Sequence, residues 1–139
     1  RTLWGWIAVL TMTLAMCALF LARWWQSLPE RAGSFGAEFR HVRLGRALGI
    51  AAALFIGASL FTEQTLVGDI GRLFLGSLVI VGLAATHRAV SQGKLAVAWL
   101  WFTYALLVLV APFAVVGLAA LGFVDNWLRS QPPARSAAT

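Results

Sequence analysis

Charged side chains are scarce in this sequence. They make up 12% of its 139 residues, about half the share of an ordinary soluble domain, and cannot cover a water-facing surface. Acidic groups are scarcer than basic ones, with five Asp and Glu against eleven Lys and Arg. Lys94 is the only lysine. Cysteine occurs once, at Cys17, which excludes an intrachain disulfide; inside an apolar run it reads as a small packing residue. No Cys/His cluster has metal-ligand spacing. There is no Gly-rich phosphate loop, GxSxG elbow or HExxH pair, so no motif for metal, nucleotide or hydrolytic chemistry is present.

What the sequence has instead is long apolar runs. Hydrophobic residues make up 60% and mean hydropathy is +0.82. Leu3 to Ala22, Ala47 to Phe61, Leu73 to Thr86 and Leu95 to Val124 carry no charge. A bilayer core takes a helix of roughly 17–25 apolar residues. Backbone groups in lipid must be satisfied internally, and nothing here alternates with period two, so the runs predict helices. A net charge of +6 would suggest nucleic acid in a soluble protein. Between apolar spans it points to anionic lipid headgroups.

The first span is expected over residues 3–28. Trp4 and Trp6 open it and Trp24 and Trp25 close it; Trp4 to Trp24 measures about 30 Å of helix, the hydrocarbon thickness, with Trp at both interfaces. Pro29 is expected to stop it. Within Glu30 to Arg46, Phe35, Phe39 and Val42 recur at helical spacing with Arg40 and Arg43 off that stripe. This predicts a short interfacial helix, aromatics toward the membrane and arginines toward headgroups; a plain connecting loop is the alternative.

The second span is expected over 44–61. Gly45, Gly49, Ala53 and Gly57 recur every fourth residue and line one face, the pattern by which membrane helices approach closely. These four are the candidate helix-packing residues, expected to form the closest helix contact in the chain. The third span is expected over 68–87, with Asp69 and Arg72 paired at its start. Residues 95–128 are long for one span and Pro112 divides them. A single kinked helix is the first reading, two half-spans the second. The tail, 130–139, is expected to be disordered. The fold class is therefore all-α: an integral membrane bundle of about four transmembrane helices plus a short interfacial helix, as one domain over 1–129.

Lys and Arg in short loops orient such a bundle. The first loop holds Arg23, Arg31, Arg40, Arg43 and Arg46, and the third holds Arg88 and Lys94. With four spans, these loops share a side assigned to the cytoplasm. Arg1, Arg72, Arg129 and Arg135 fall on the other side; two half-spans would bring the C-terminus to the cytoplasm too. Arg40, Arg43, Arg46, Arg88 and Lys94 are the candidate headgroup-binding residues. His41 and His87 fall at the same interface. Haem ligation by the pair is topologically permitted, but both flank arginines and neither lies inside an apolar run, so they read as members of a basic belt. Mid-span polar residues are few: Thr11, Thr13, Cys17, Ser59, Ser77, Thr103 and Tyr104. Ser and Thr in such helices bond back to their own backbone, and no base lies nearby. No catalytic, cofactor or metal residue is expected.

From Arg23 onward the order of features is similar to one family. The residues are Arg23-Trp24-Trp25-Gln26; Gly33-Ser34-Phe35-Gly36 with Glu38-Phe39-Arg40; Arg43-Leu44-Gly45-Arg46; His87 at a span end; Tyr104; and Gly122-Phe123-Val124-Asp125 leading to Trp127 and Arg129. This resembles the C-terminal half of the YybS-like bacterial membrane proteins, a domain of unknown function, over about four-fifths of the chain. The tail departs from the family's basic ending. The resemblance implies a bacterial plasma-membrane protein and a longer parent chain, which agrees with a sequence that begins at Arg1 and enters a span at once. It also implies a distant likeness, carried by an N-terminal half, to the substrate-binding components of vitamin uptake transporters. The expected function is a non-enzymatic structural or accessory membrane subunit. It would pack against other membrane helices, or its own N-terminal half, and against anionic lipid, with no nucleic acid and no cofactor. A small-molecule transport or substrate-binding component is the alternative.

Overall fold

The computed structural model describes residues 3–30 and 33–129. Among these, six helices follow in order: α1 (Leu3–Glu30), α2 (Ser34–Phe39), α3 (Arg46–Ser59), α4 (Thr65–Ser91), α5 (Ala98–Leu109) and α6 (Ala111–Arg129). No strand occurs among the described residues. The chain is an all-helical bundle of membrane type. Three helices are long and apolar enough to cross a membrane: α1 over Leu3–Pro29, α4 and α6. α3 and α5 are apolar but have 14 and 12 residues, about 21 and 18 Å of rise, short of the roughly 30 Å core. The expected count of about four becomes three long helices and two short ones.

α4 is the axis of the bundle, and α1, α3, α5 and α6 all pack on it. Its small residues Gly71, Gly82, Ala84 and Ala85 are buried and bring the neighbours close. The core is Ala52 of α3, Leu78 of α4 and Ala119 of α6, wrapped by Ile56, Phe74, Leu75, Val79 and Phe123. α1 runs alongside α4 in the same direction: Gly5 lies over Asp69 and Arg72, while Phe20 shares a groove with His87. α3 runs the other way, with its Phe55 carbonyl and Ser59 against Gly71. α5 turns back along α6. α6 is directed as α4 is, so Arg88 and Asp125 meet beyond the crossing at Gly82 and Gly122. One end of the bundle, the basic end, therefore gathers the ends of α1, α4 and α6 and the start of α3.

The last apolar run is not one kinked helix. It breaks at Val110, whose φ of −136° and ψ of 50° leave the helical region, into helices of 12 and 19 residues. A continuous helix would drive the Pro112 ring into the carbonyl of Val108 and leave that carbonyl without its donor. Placed in the first turn of α6, Pro112 needs no N–H, and Phe113 and Ala114 donate to the Val110 carbonyl at 3.1 Å each. Arg129 consequently joins the basic end rather than the far end. Pro29 does not stop α1 ahead of itself; it sits inside the last turn, and the helix runs to Glu30. α4 is longer than expected at both ends. Arg1, Arg31, Arg135 and the expected disordered tail lie outside the described residues.

Candidate functional site

The small-residue stripe of α3 does not form the closest helix contact. Gly45 precedes the helix with φ 84° and ψ 171°, and a Cβ on Gly45 or Gly57 would meet nothing within 4 Å. Ala53 is exposed. Only Gly49 packs tightly: a Cβ there would lie 2.5 Å from Nδ2 of Asn126. The closest approach belongs to α4 and α6. A Cβ on Gly82 would run into the Leu118 carbonyl, and one on Gly122 into the Leu78 carbonyl. Two bare backbones touch there, with dispersion and Cα–H···O contacts as the attraction lipid allows.

Asn126, the chain's single asparagine, belongs to no motif that would mark it in the sequence. It is 1% exposed. Its Oδ1 accepts the N–H groups of Leu44 and Gly45 at 3.0 Å each, and its Nδ2 donates to the Gly45 carbonyl at 3.0 Å. α6 thereby fastens the extended backbone that leads into α3, replacing the usual N-cap side chain.

The five candidate headgroup residues are gathered at the basic end, in different states. Arg88 is turned inward. Its guanidinium pairs with Asp125 and donates to the Arg40 carbonyl at 2.9 Å, with 15% of its side chain exposed. Arg129 reaches the other oxygen of Asp125 at 3.7 Å. Arg43 is exposed and donates to the Arg129 carbonyl at 3.5 Å. Arg46 lies over the Trp127 ring, 5.6 Å from its centroid. Lys94 is exposed in the turn before α5 and makes no ion pair among the described residues.

α2 is the short helix expected after the first span, but its aromatics do not face away from the bundle. Its Phe35 and Phe39 turn to the protein, with edge-on contacts to Phe20 of α1 at 5.9 and 5.5 Å. Glu38 accepts Nε of Arg23 at 2.8 Å, which ties α2 to α1. The Arg23 guanidinium holds the Glu38 carboxyl below the usual glutamate value. At the far end, Asp69 and Arg72 pair as expected. Gly5 has no side chain to displace them, and Trp6 lies against the Arg72 guanidinium, 5.9 Å from its carbon.

Two grooves open beside α4. The first, about 640 Å³, lies between α1, α2, α4 and α5. His87 is its polar centre, edge-on to Phe39 and Tyr104 at 5.6 and 6.0 Å. Nδ1 of His87 lies 2.9 Å from the Leu83 carbonyl, and the Tyr104 hydroxyl is 3.4 Å from Nε2. A ring whose Nδ1–H is donated to its own helix turns a lone pair on Nε2 toward the groove. His41 is exposed at the end of α2, with Nδ1 on the Ala37 carbonyl; no contact joins the two histidines. The second groove, about 660 Å³, lies between α4, α5 and α6, with Arg88, Lys94 and Asp125 at one end and apolar walls along its length.

A long, lipid-compatible surface surrounds these features. Trp4, Trp6, Leu10, Leu14, Leu19, Leu21 and Trp25 of α1 are exposed, and so are Trp101, Val108 and Phe113 around α5 and α6. The fold and site define an all-helical protein of membrane type with a basic end. No family model, curated protein or solved structure matches the chain.

Proposed function

We propose that this chain is a non-enzymatic, multi-pass structural or accessory component of a bacterial plasma membrane, with its basic end at the cytoplasmic face in contact with anionic lipid. One observation carries the reading. Among the described residues, Arg23, Arg40, Arg43, Arg46, Arg88, Lys94 and Arg129 share one end of the bundle, while the other end offers Arg72, paired with Asp69. Positive charge concentrated on one side of a helical bundle is the cytoplasmic signature, and each Lys or Arg near an anionic surface contributes about 1 kcal/mol of attraction. The exposed face of α1 is the surface that would dock other membrane helices. The test is thermal unfolding of the purified chain in zwitterionic bilayers with rising phosphatidylglycerol. The expected result is a rise in melting temperature that is lost in an Arg43→Gln, Arg46→Gln, Lys94→Gln variant. No rise in the parent protein would overturn the reading.

A small-molecule transport or substrate-binding component is the second reading. The His87–Tyr104 groove favours it, since an acceptor and a hydroxyl converge there inside an aromatic lining. Membership of the YybS-like family is proposed on the residues that carry the resemblance.

A further inference from the structure

We propose that the groove between α4, α5 and α6 is a binding site for a single anionic phospholipid, one acyl chain lying along α6 and the phosphate held by Lys94. The proposal rests on the reading above, that the basic end meets anionic lipid, and assigns that lipid a specific seat.

The shape comes from small residues. Ala85 and Ala89 of α4 and Ala114 and Gly117 of α6 line the groove, and a Cβ on Gly117 would meet nothing within 4 Å. α4 and α6 are locked together at Gly82 and Gly122, while α5 closes the groove from the side with Trp99, Phe102 and Leu106. The channel is thus the space these missing side chains leave beneath α5. Its lining runs along α6 from Phe113 to Leu128, about 22 Å at helical rise. One leaflet is about 15 Å deep, half the hydrocarbon core. A chain descending from the basic end stays in contact with protein through the depth of its leaflet.

The ends of the groove differ in chemistry. At the Val110 and Phe113 end the lining is apolar. At the other end lie Arg88, Asp125, Gln92 and Lys94. Arg88 is paired with Asp125, whereas Lys94 makes no ion pair among the described residues, so its ammonium is the charge that meets an incoming phosphate. An ammonium is a compact point charge with three donors, suited to a phosphate oxygen. Apolar walls topped by one open cation complement an acidic amphiphile. They do not complement a neutral sterol or a polar solute. At about 660 Å³ the groove has the size of a ligand site. A second helix, about 10 Å across with side chains, would have to displace α5 to reach the floor.

The experiment uses the full chain in detergent, titrated with phosphatidylglycerol or phosphatidylcholine and read by native mass spectrometry. The parent protein is expected to retain one phosphatidylglycerol in preference to phosphatidylcholine. Lys94→Glu and Gly117→Phe should each weaken that retention about tenfold, the first by charge and the second by filling the floor. Ala114→Leu narrows the same floor with a smaller side chain and serves if Gly117→Phe fails to fold, as judged by circular dichroism. Phosphatidylglycerol brominated in its acyl chain should quench tryptophan fluorescence, and Trp99→Phe should remove part of that quenching. If Lys94→Glu weakens binding while folded Gly117→Phe and Ala114→Leu leave it unchanged, the phosphate contact is superficial: the seat is overturned and the broader lipid reading stands. If the parent protein shows no preference for phosphatidylglycerol, both fall. If Gly117→Phe changes the size of the assembly but not lipid retention, the groove belongs to a protein partner and the proposal is overturned.

Discussion

Gly82 of α4 and Gly122 of α6 lie face to face, each beneath the other helix's backbone, where a methyl group on either would collide with a main-chain carbonyl. The collision at each is with rigid backbone, not with a side chain that could swing away. Replacing either glycine with leucine should therefore destabilise the bundle by at least the cost of overpacking a core, about 1–3 kcal/mol. Gly57→Leu, where a side chain meets open space, should change stability by under about 0.5 kcal/mol. Thermal or denaturant unfolding in one fixed detergent checks the contrast. Equal losses at Gly82 and Gly57 would contradict it.

Asn126 satisfies three backbone groups at the entry to α3. Asn126→Ala removes all three bonds at once, and each buried polar group left unpaired costs about 1–3 kcal/mol. Hydrogen exchange should quicken at Leu44 and Gly45 while the middle of α4 stays protected. Asn126→Asp keeps the acceptor for both N–H groups and should retain most of that protection. Unchanged exchange in Asn126→Ala would show that the clasp does not fix α3.

The Arg23–Glu38 pair predicts a pH dependence at the junction of α1 and α2. Arg23 depresses the Glu38 pKa from 4.5, so the folded state binds that proton less readily than the unfolded one. The stabilisation is fully present above the ordinary glutamate value and is lost as pH falls through the lowered one. Both groups are substantially exposed, so the effect is local and salt-sensitive. Protection of α2 amides, compared with Glu38→Gln at each pH, should be higher in the parent protein near neutrality and converge on the variant as pH falls through the lowered Glu38 value. A constant difference down to strong acid would exclude the pair as its cause.

Single cysteines in a Cys17→Ser background test the arrangement of ends. Ala37→Cys and Gln92→Cys, both exposed at the basic end, should label from the same face of the membrane, and Glu63→Cys, exposed at the far end, from the opposite face. Labelling of positions 37 and 92 from different faces would reverse the direction of α4 and remove the basis for a cytoplasmic basic end.

The apolar runs made the class of fold legible, because uncharged stretches of this length have few solutions. Trp4 and Trp6 lie in the first turns of α1, while Trp24 and Trp25 lie a turn or more before its end at Glu30. Pro112 announced a break, but sequence could not weigh a kink against a turn; that depends on whether α6 can pack beside α4, which Gly82 and Gly122 permit. The spacing of Gly45, Gly49, Ala53 and Gly57 identified a small-residue face without revealing its partner. Its first member proved to lie outside the helix, and two others open onto space. Asn126 was illegible because its partners lie 81 and 82 residues away, and only the tertiary fold brings them together. The basic cluster was legible by residue type, whereas the inward turn of Arg88 required knowing where Asp125 falls.

α1 touches α4 along one narrow face and meets a charged pair near each end: Gly5 lies over Asp69 and Arg72 of α4, and Arg23 bonds to Glu38 of α2. Lipid tails are as apolar as leucine, so the greasy middle of α1 does little to choose a register; one clasp holds the helix to α4 and the other to α2. They are separated by about 27 Å of helix, close to the roughly 30 Å of hydrocarbon between two interfaces. The two contacts are thus spaced like the two interfaces of a bilayer. Inserting one residue in the middle of α1 would turn one clasp by about 100° relative to the other, so that a single helix could no longer engage both, although its hydropathy would hardly have changed.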